Sequence, residues 1–157
     1  MHSPFGFVYS KKYEYPLLQS ILSISRSVRW LMSIKLAEIG LHIGQGDLLT
    51  SLAEGEIIAV SESAKRLNIR PSSASKLIDR LVEQGFIRRF ADPLDSRKSL
   101  IEITPSGVLA RSKVSRIQVE VEREVFRKIT MSEKASIDDR IDSIDRALIS
   151  LMIRIRN

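Results

Sequence analysis

The chain contains no cysteine. Disulfides, thiolate nucleophiles and thiol-based redox switches are therefore excluded. Histidine occurs only at positions 2 and 42, so a zinc site built from Cys and His ligands is not expected. A Ser-His-Asp arrangement would have to use His42, and no nucleophile motif accompanies it. His42 is read as a helix-end or surface residue. There is no glycine-rich phosphate loop, and the paired carboxylates Asp138-Asp139 look like charge on a helix surface. These absences argue against an enzyme and against any cofactor or metal. No apolar run approaches the length of a membrane span. The segment from Met1 to Pro16 lacks the apolar core of a signal peptide. A cytoplasmic location with no membrane partner is the expectation.

What is present is ordinary in amount and specific in placement. A chain of 157 residues fits one domain and can bury most of its apolar surface. Hydrophobic content of 43% with 28% charged residues describes a globular protein, not a disordered one. Net charge is +6 with a pI near 9.8, which favours a polyanionic partner. The excess is spread out: residues 1–40, 57–104 and 105–157 each carry +3, and residues 41–56 carry −3. Where the cations sit therefore says more than how many there are.

The chain is organised around Val60 to Ile103, which reads as a helix-turn-helix followed by a β-hairpin wing. Ser61 is the expected N-cap of a short helix, since its hydroxyl can accept a free first-turn N–H. Ala64 is small, as a steep helix crossing requires. Asn68 falls where the chain must turn sharply, and Asn tolerates left-handed backbone. Pro71 suits the first position of the next helix. That helix carries Ala74, Leu77, Ile78, Leu81 and Val82 on one stripe, and Gly85 stops it. Its other face carries Ser72, Ser73, Ser75, Lys76, Asp79 and Arg80. Short hydroxyls allow close approach to a groove, and long cations reach phosphates or guanine edges. Any one of these residues is equally at home on a solvated face; the combination with the tight turn points to nucleic acid. Phe86–Phe90 and Ser99–Ile103 read as strands. Between them, Asp92-Pro93 is turn chemistry. Arg97 and Lys98 stand at a tip suited to a minor groove, where negative potential attracts Arg. The bland alternative is a solvated turn in which Arg97 pairs with Asp95 or Asp92. Both can hold together.

This order of elements resembles the MarR family of bacterial transcription regulators. The family's wing runs roughly Asp-x-x-Asp-x-Arg, followed by Leu-Thr-x-x-Gly at a helix start. Asp92, Asp95, Arg97, Thr104 and Gly107 match it, and Ile103 replaces the usual Leu. The likeness extends from about Tyr15 to the end, and is specific in the wing and the recognition helix. It implies a mainly α fold with a small β-hairpin wing: a winged helix-turn-helix lobe plus long N- and C-terminal dimerisation helices. The whole chain, 1–157, then forms a single MarR-like domain, with the DNA-binding lobe at 44–104 and dimerisation helices at 15–40 and 105–157. The lack of cysteine excludes the peroxide-sensing mode that some relatives use.

The flanking segments agree. Met1 to Glu14 is read as a loose arm whose Phe5, Phe7, Tyr9 and Tyr13 could pack on a partner subunit, with a disordered tail as the alternative. Tyr15 to Ile39 forms a long helix with Leu17, Ile21, Ile24, Val28 and Leu31 on one stripe, widened by Leu18, Leu22, Met32 and Leu36. Gly40 ends it. Gly44 to Ala53 is a shorter helix with Leu48, Leu49 and Leu52 inward, and Gly55 follows. Glu56 to Ala59 is a linker or a very short strand beside the wing. Thr104-Pro105 opens a helix expected to reach Ile129, with Val114, Ile117, Val121 and Val125 on one stripe. Ser132 is the expected cap of the last helix, striped by Ile137, Ile141, Ile144, Leu148, Leu151 or Met152, and Ile155. Apolar-striped first and last helices suggest pairing across a two-fold axis; the alternative is a monomer in which they pack on each other.

The functional expectation is a homodimeric, sequence-specific DNA-binding regulator acting on a palindromic operator in double-stranded DNA. The DNA-contacting residues would be Ser72, Ser73, Ser75, Lys76, Arg80, Arg97 and Lys98. The alternative is a winged-helix module that binds protein, which should expose apolar residues where this chain places Ser, Lys and Arg. The resemblance further implies repression of nearby genes, relieved by a small aromatic or phenolic effector. Candidate ligand residues are Arg29, Trp30 and Met32.

Overall fold

The computed structural model describes residues 16–156, with side chains from 17 to 155. The expected arm lies outside these residues, as does Tyr15. The elements run α1 (Pro16–Ala37), α2 (Ile43–Thr50), β1 (Ile57–Ala59), α3 (Val60–Arg66), α4 (Pro71–Glu83), β2 (Ile87–Ala91), β3 (Ser99–Ile103), α5 (Pro105–Val125) and α6 (Met131–Arg156). The fold is mainly helical with one small antiparallel sheet ordered β1-β3-β2. The chain divides into two compact units between Val119 and Glu120, within α5.

The first unit is the winged helix with α1 and α2. Its helices stop where the sequence supplies left-handed residues. Asn68 has φ 51°; Asn68 N–H donates to the Lys65 carbonyl and Ile69 N–H to the Ala64 carbonyl. Gly85, at φ 74°, closes α4 in the same way through Val82 and Leu81. This paired pattern satisfies carbonyls that a bare helix end leaves orphaned. α2 is buried around most of its surface: Gln45, Gly46, Leu48 and Leu49 are all inside. Gly46 makes this geometry available, since a Cβ there would stand 3.1 Å from a Leu36 methyl and 3.5 Å from a Val114 methyl. Thus α1, α2 and α5 meet at one small residue. Ala64, Ala74, Ile78, Leu81, Ile87, Ile101 and Ile103 extend the core under the sheet and α4.

Of the two alternatives for Glu56 to Ala59, a linker or a very short strand beside the wing, the structure has the strand. Ile57, Ile58 and Ala59 pair with Glu102, Ile101 and Leu100 of β3. That pairing moves the start of α3. Ala59 is its N-cap, with extended φ −71° and ψ 147°. Ser61 is therefore not the cap; it lies inside the first turn and faces solvent. Coiling begins as soon as the ladder ends, two residues earlier than the capping chemistry of Ser61 implies. Within α4, Val82 remains 38% exposed. The core-facing stripe is narrower than the sequence suggests.

The start of α5 explains the Thr104-x-x-Gly107 pattern. The Thr104 hydroxyl donates to the Gly85 carbonyl at 2.7 Å and accepts from Gly107 N–H at 3.1 Å. Thr104 N–H donates to the Phe86 carbonyl at 3.0 Å. A Cβ at Gly107 would lie 2.0 Å from that same carbonyl oxygen. The helix can seat against the end of α4 only with glycine there.

The second unit holds the end of α5 and all of α6. α5 ends at Val125, short of the expected Ile129. Thr130, not Ser132, caps α6: Glu133 N–H donates to the Thr130 hydroxyl, and the Glu133 carboxylate accepts from Thr130 N–H at 2.9 Å. This reciprocal pair satisfies two orphan donors at once, and holds the Glu133 carboxyl below its ordinary pKa through hydrogen bonds from Thr130. Lys134 pairs with Glu122 and lies 5.7 Å from the Phe126 ring centre. The apolar stripe of α6 is uncovered: Ile141, Ile144, Leu148, Leu151, Met152 and Ile155 are all exposed. So are Leu17, Leu18, Ile21, Ile24 and Val28 on α1.

Candidate nucleic-acid interface

The site is built on α4, which follows α3 through the Asn68 turn. Because Ala74, Ile78 and Leu81 are buried, the helical period turns Ser72, Ser73, Lys76, Asp79 and Arg80 outward, and all five are exposed. Lys76 and Arg80 have no carboxylate within ion-pair distance among the described residues. Arg70, the N-cap of α4, is equally exposed and lies outside the set of contacts expected from the sequence. Ser75 differs from its neighbours. It is half-buried and its hydroxyl accepts from Arg89 Nη2 at 3.3 Å.

Arg89 was not a sequence candidate. It sits on β2 between Arg88 and Phe90, and adjacent strand residues point to opposite faces. Arg88 stands opposite Glu102 in the ladder and pairs with it. Arg89 turns the other way, toward α4, where Nη1 donates to Asp79 Oδ1 at 2.7 Å. The signal available in sequence was the strand period itself, which gives Arg88 and Arg89 different environments.

The wing behaves as both readings allow. Arg97 Nε donates to Asp95 Oδ1 at 3.1 Å, yet its side chain is 90% exposed. Asp95 Oδ1 also accepts from Arg97 N–H, and Asp92 Oδ1 accepts from Leu94 N–H. Asp92 N–H to the Lys98 carbonyl and Lys98 N–H to the Asp95 carbonyl close the loop. The carboxylates thus fix the backbone of the tip while its cation projects into solvent. Lys98 is exposed too, with its ammonium 3.7 Å from Asp95.

Two further groups steady the lobe behind this face. Arg66 pairs with Glu56 at 2.6 Å and donates to the Ser51 carbonyl at 3.1 Å, tying α3 to the loop after α2. Hydrogen bonds from Arg66 and from Ala53 N–H lower the Glu56 pKa to about 2. Gln45, buried in α2, donates to Gln84 at 2.8 Å, and Gln84 donates on to the Gly40 carbonyl at 3.1 Å.

The expected ligand residues do not share one environment. Arg29 is exposed and Trp30 half-exposed, whereas Met32 is buried in the core. Burial raises the Asp47 pKa, and the positive charge of Arg29 partly offsets this. Among the described residues no cluster of metal-ligating side chains occurs, and no helix is long and apolar enough to cross a membrane.

The model of the MarR family matches residues 41–99, which span α2, the helix-turn-helix and the wing. That stretch of the chain is similar to the MarR family. Among curated relatives, the HTH-type transcriptional repressor YetL of Bacillus subtilis is 32% identical over 93 residues, 58% of this chain and 56% of that protein. A MarR protein from Peptoclostridium difficile superposes with TM-score 0.81 at 19% identity, covering 95% of this chain and 97% of that one. A mutant MarR from E. coli, complexed with operator DNA, superposes with TM-score 0.72 at 22% identity, covering 82% and 93%. At these identities the superpositions establish the shared fold. His42, exposed at the N-cap of α2, takes the helix-end position expected of it.

Proposed function

We propose that the chain is a homodimeric, sequence-specific DNA-binding transcription regulator. One observation carries the reading: α4 presents Ser72, Ser73, Lys76 and Arg80 to solvent, with both cations free of carboxylate partners among the described residues. The helix has small hydroxyl residues at its N-terminal end, where close approach to base edges is needed, and cations farther along. Lys76 and Arg80 contact bases or phosphates in the major groove; Ser72, Ser73 and Ser75 give short-range contacts. Arg97, with Lys98 beside it, enters the flanking minor groove, held in an extended pose by Asp95. The operator complex of the related fold supports this assignment.

The dimer rests on the uncovered apolar stripes of α1 and α6. Patches of this kind mark association surfaces, and a two-fold pairing would cover the same stripe on both subunits. Two lobes then read a palindrome whose half-sites lie about one helical turn apart, roughly 34–36 Å. The 15–40 and 105–157 segments serve as dimerisation helices around the 44–104 lobe. Repression of nearby genes, relieved by a small aromatic or phenolic effector, completes the reading. Arg29 supplies the positive charge for an anionic ligand and Trp30 a stacking surface, while Met32 would become available only if the core around it opened. A ligand acts by favouring the lobe spacing that does not fit DNA.

Selection of bound duplexes from a random pool tests the reading. The expected product is a palindrome bound by two copies with a steep inverse dependence on salt. A pool that yields no enriched sequence, together with capture of a protein partner by the same face, would favour a winged-helix interaction module instead.

A further inference from the structure

Arg89 is held against α4. Its guanidinium spans two α4 residues one helical turn apart, Asp79 at 2.7 Å and Ser75 at 3.3 Å. Its Nε is buried with no hydrogen-bond partner among the described residues. Leaving a charged donor unpaired in this way is costly, and an apolar side chain could fill the same space without the cost. The contact therefore does something besides packing. It joins β2, the first strand of the wing, to the outer half of α4. It also decides what the DNA-facing surface shows. Asp79 is exposed beside Lys76 and Arg80, and its carboxylate is paired with a cation that is less exposed than itself.

We propose that Asp79 and Arg89 form a specificity-setting pair. Asp79 places a negative charge on the reading face, which disfavours phosphate at its position and so disfavours docking out of register. It can accept from a cytosine amino group when the register is right. Arg89 is a positioning residue: it holds that carboxylate and Ser75 in one pose and withholds its own charge from the phosphates. The pair lowers indiscriminate binding more than it lowers binding to the correct site. This rests on the DNA-reading role proposed above.

The test compares the parent with Asp79→Asn and Arg89→Met, using the duplex selected from the random pool and a scrambled duplex, across a salt series. Asp79→Asn keeps the side-chain shape at an exposed helical position, so the fold is retained; thermal unfolding of both variants checks this. For Asp79→Asn, affinity for scrambled DNA rises and discrimination falls by roughly ten-fold or more, the scale of one mismatched base pair. Its salt slope on scrambled DNA steepens by about one, as for one added phosphate contact. Arg89→Met, which leaves Asp79 uncompensated, weakens binding to both duplexes and flattens the slope. A purely structural role would move stability without moving the slope or the ratio. If the parent discriminates and Asp79→Asn discriminates equally well with the same slope, the pair has no such role while the DNA-reading assignment stands. If the parent binds no duplex, both proposals fall.

Discussion

Replacing Gly107 by alanine tests how α5 is seated on the winged-helix lobe. The added Cβ would meet the Phe86 carbonyl oxygen at 2.0 Å and an Ile103 side-chain carbon at 2.8 Å. The obstacle is backbone, so no rotamer change relieves it; α5 must move away from the end of α4. Overpacking in a close-packed region costs about 1–3 kcal/mol. Movement also strains the Thr104 bonds to Phe86 and Gly85, each contributing about 1 kcal/mol. Alanine in a helix regains up to about 1 kcal/mol over glycine. The net expectation is a loss of roughly 2–4 kcal/mol, from summing these contributions. Gly55→Ala is the control, since its φ is 73° but its Cβ would meet nothing within 4 Å. It should lose only the left-handed backbone penalty, about 1–2 kcal/mol. Urea unfolding followed by circular dichroism, at matched protein concentration because association shifts the midpoint, measures both. If Gly107→Ala unfolds at the same urea concentration as Gly55→Ala, the clash is relieved without cost and the explanation of the Thr104-x-x-Gly107 pattern fails.

Arg97→Ala should weaken binding to the selected operator by about 1–3 kcal/mol and relax preference at the flanks of the site; unchanged affinity at matched salt would remove the wing from the interface. Leu148→Glu, on the exposed stripe of α6, should shift the protein toward monomer in sedimentation and lower operator affinity at dilute protein. A sedimentation profile like the parent's would place the dimer surface elsewhere. Glu56→Gln should destabilise the lobe at neutral pH and not in strong acid. The Glu56 pKa falls from its ordinary 4.5 to about 2 on folding, so the ionised carboxylate favours the folded state. That contribution is complete above about 4.5 and disappears as pH falls to about 2. A difference between parent and variant that stays constant through that window contradicts the assignment.

Local chemistry made much of the fold readable. Asn68 and Gly85 marked two turns because few residues accept positive φ, and the structure finds both there. Pro71 and Pro105 marked two helix starts. The wing was legible because Asp92, Asp95 and Arg97 make bonds within a few residues of one another. Ser61 and Ser132 misled because a good capping side chain is a preference that competes with its surroundings. At Ser61 the β1–β3 ladder decided the start of α3. At Ser132 the reciprocal Thr130–Glu133 bonds were the better solution.

The sequence alone determined the order of the elements, the polar character of the outer face of α4 and the exposed cation of the wing, because each depends on neighbours close in the chain. Tertiary structure decided which polar residues on that face are free. Ser75 and Asp79 are engaged by Arg89 from a strand that only the fold brings beside α4. It also decided why position 107 must be glycine, since the Phe86 carbonyl that excludes a side chain belongs to the end of another element. Periodicity predicts the direction of a side chain, and only packing supplies what it meets there.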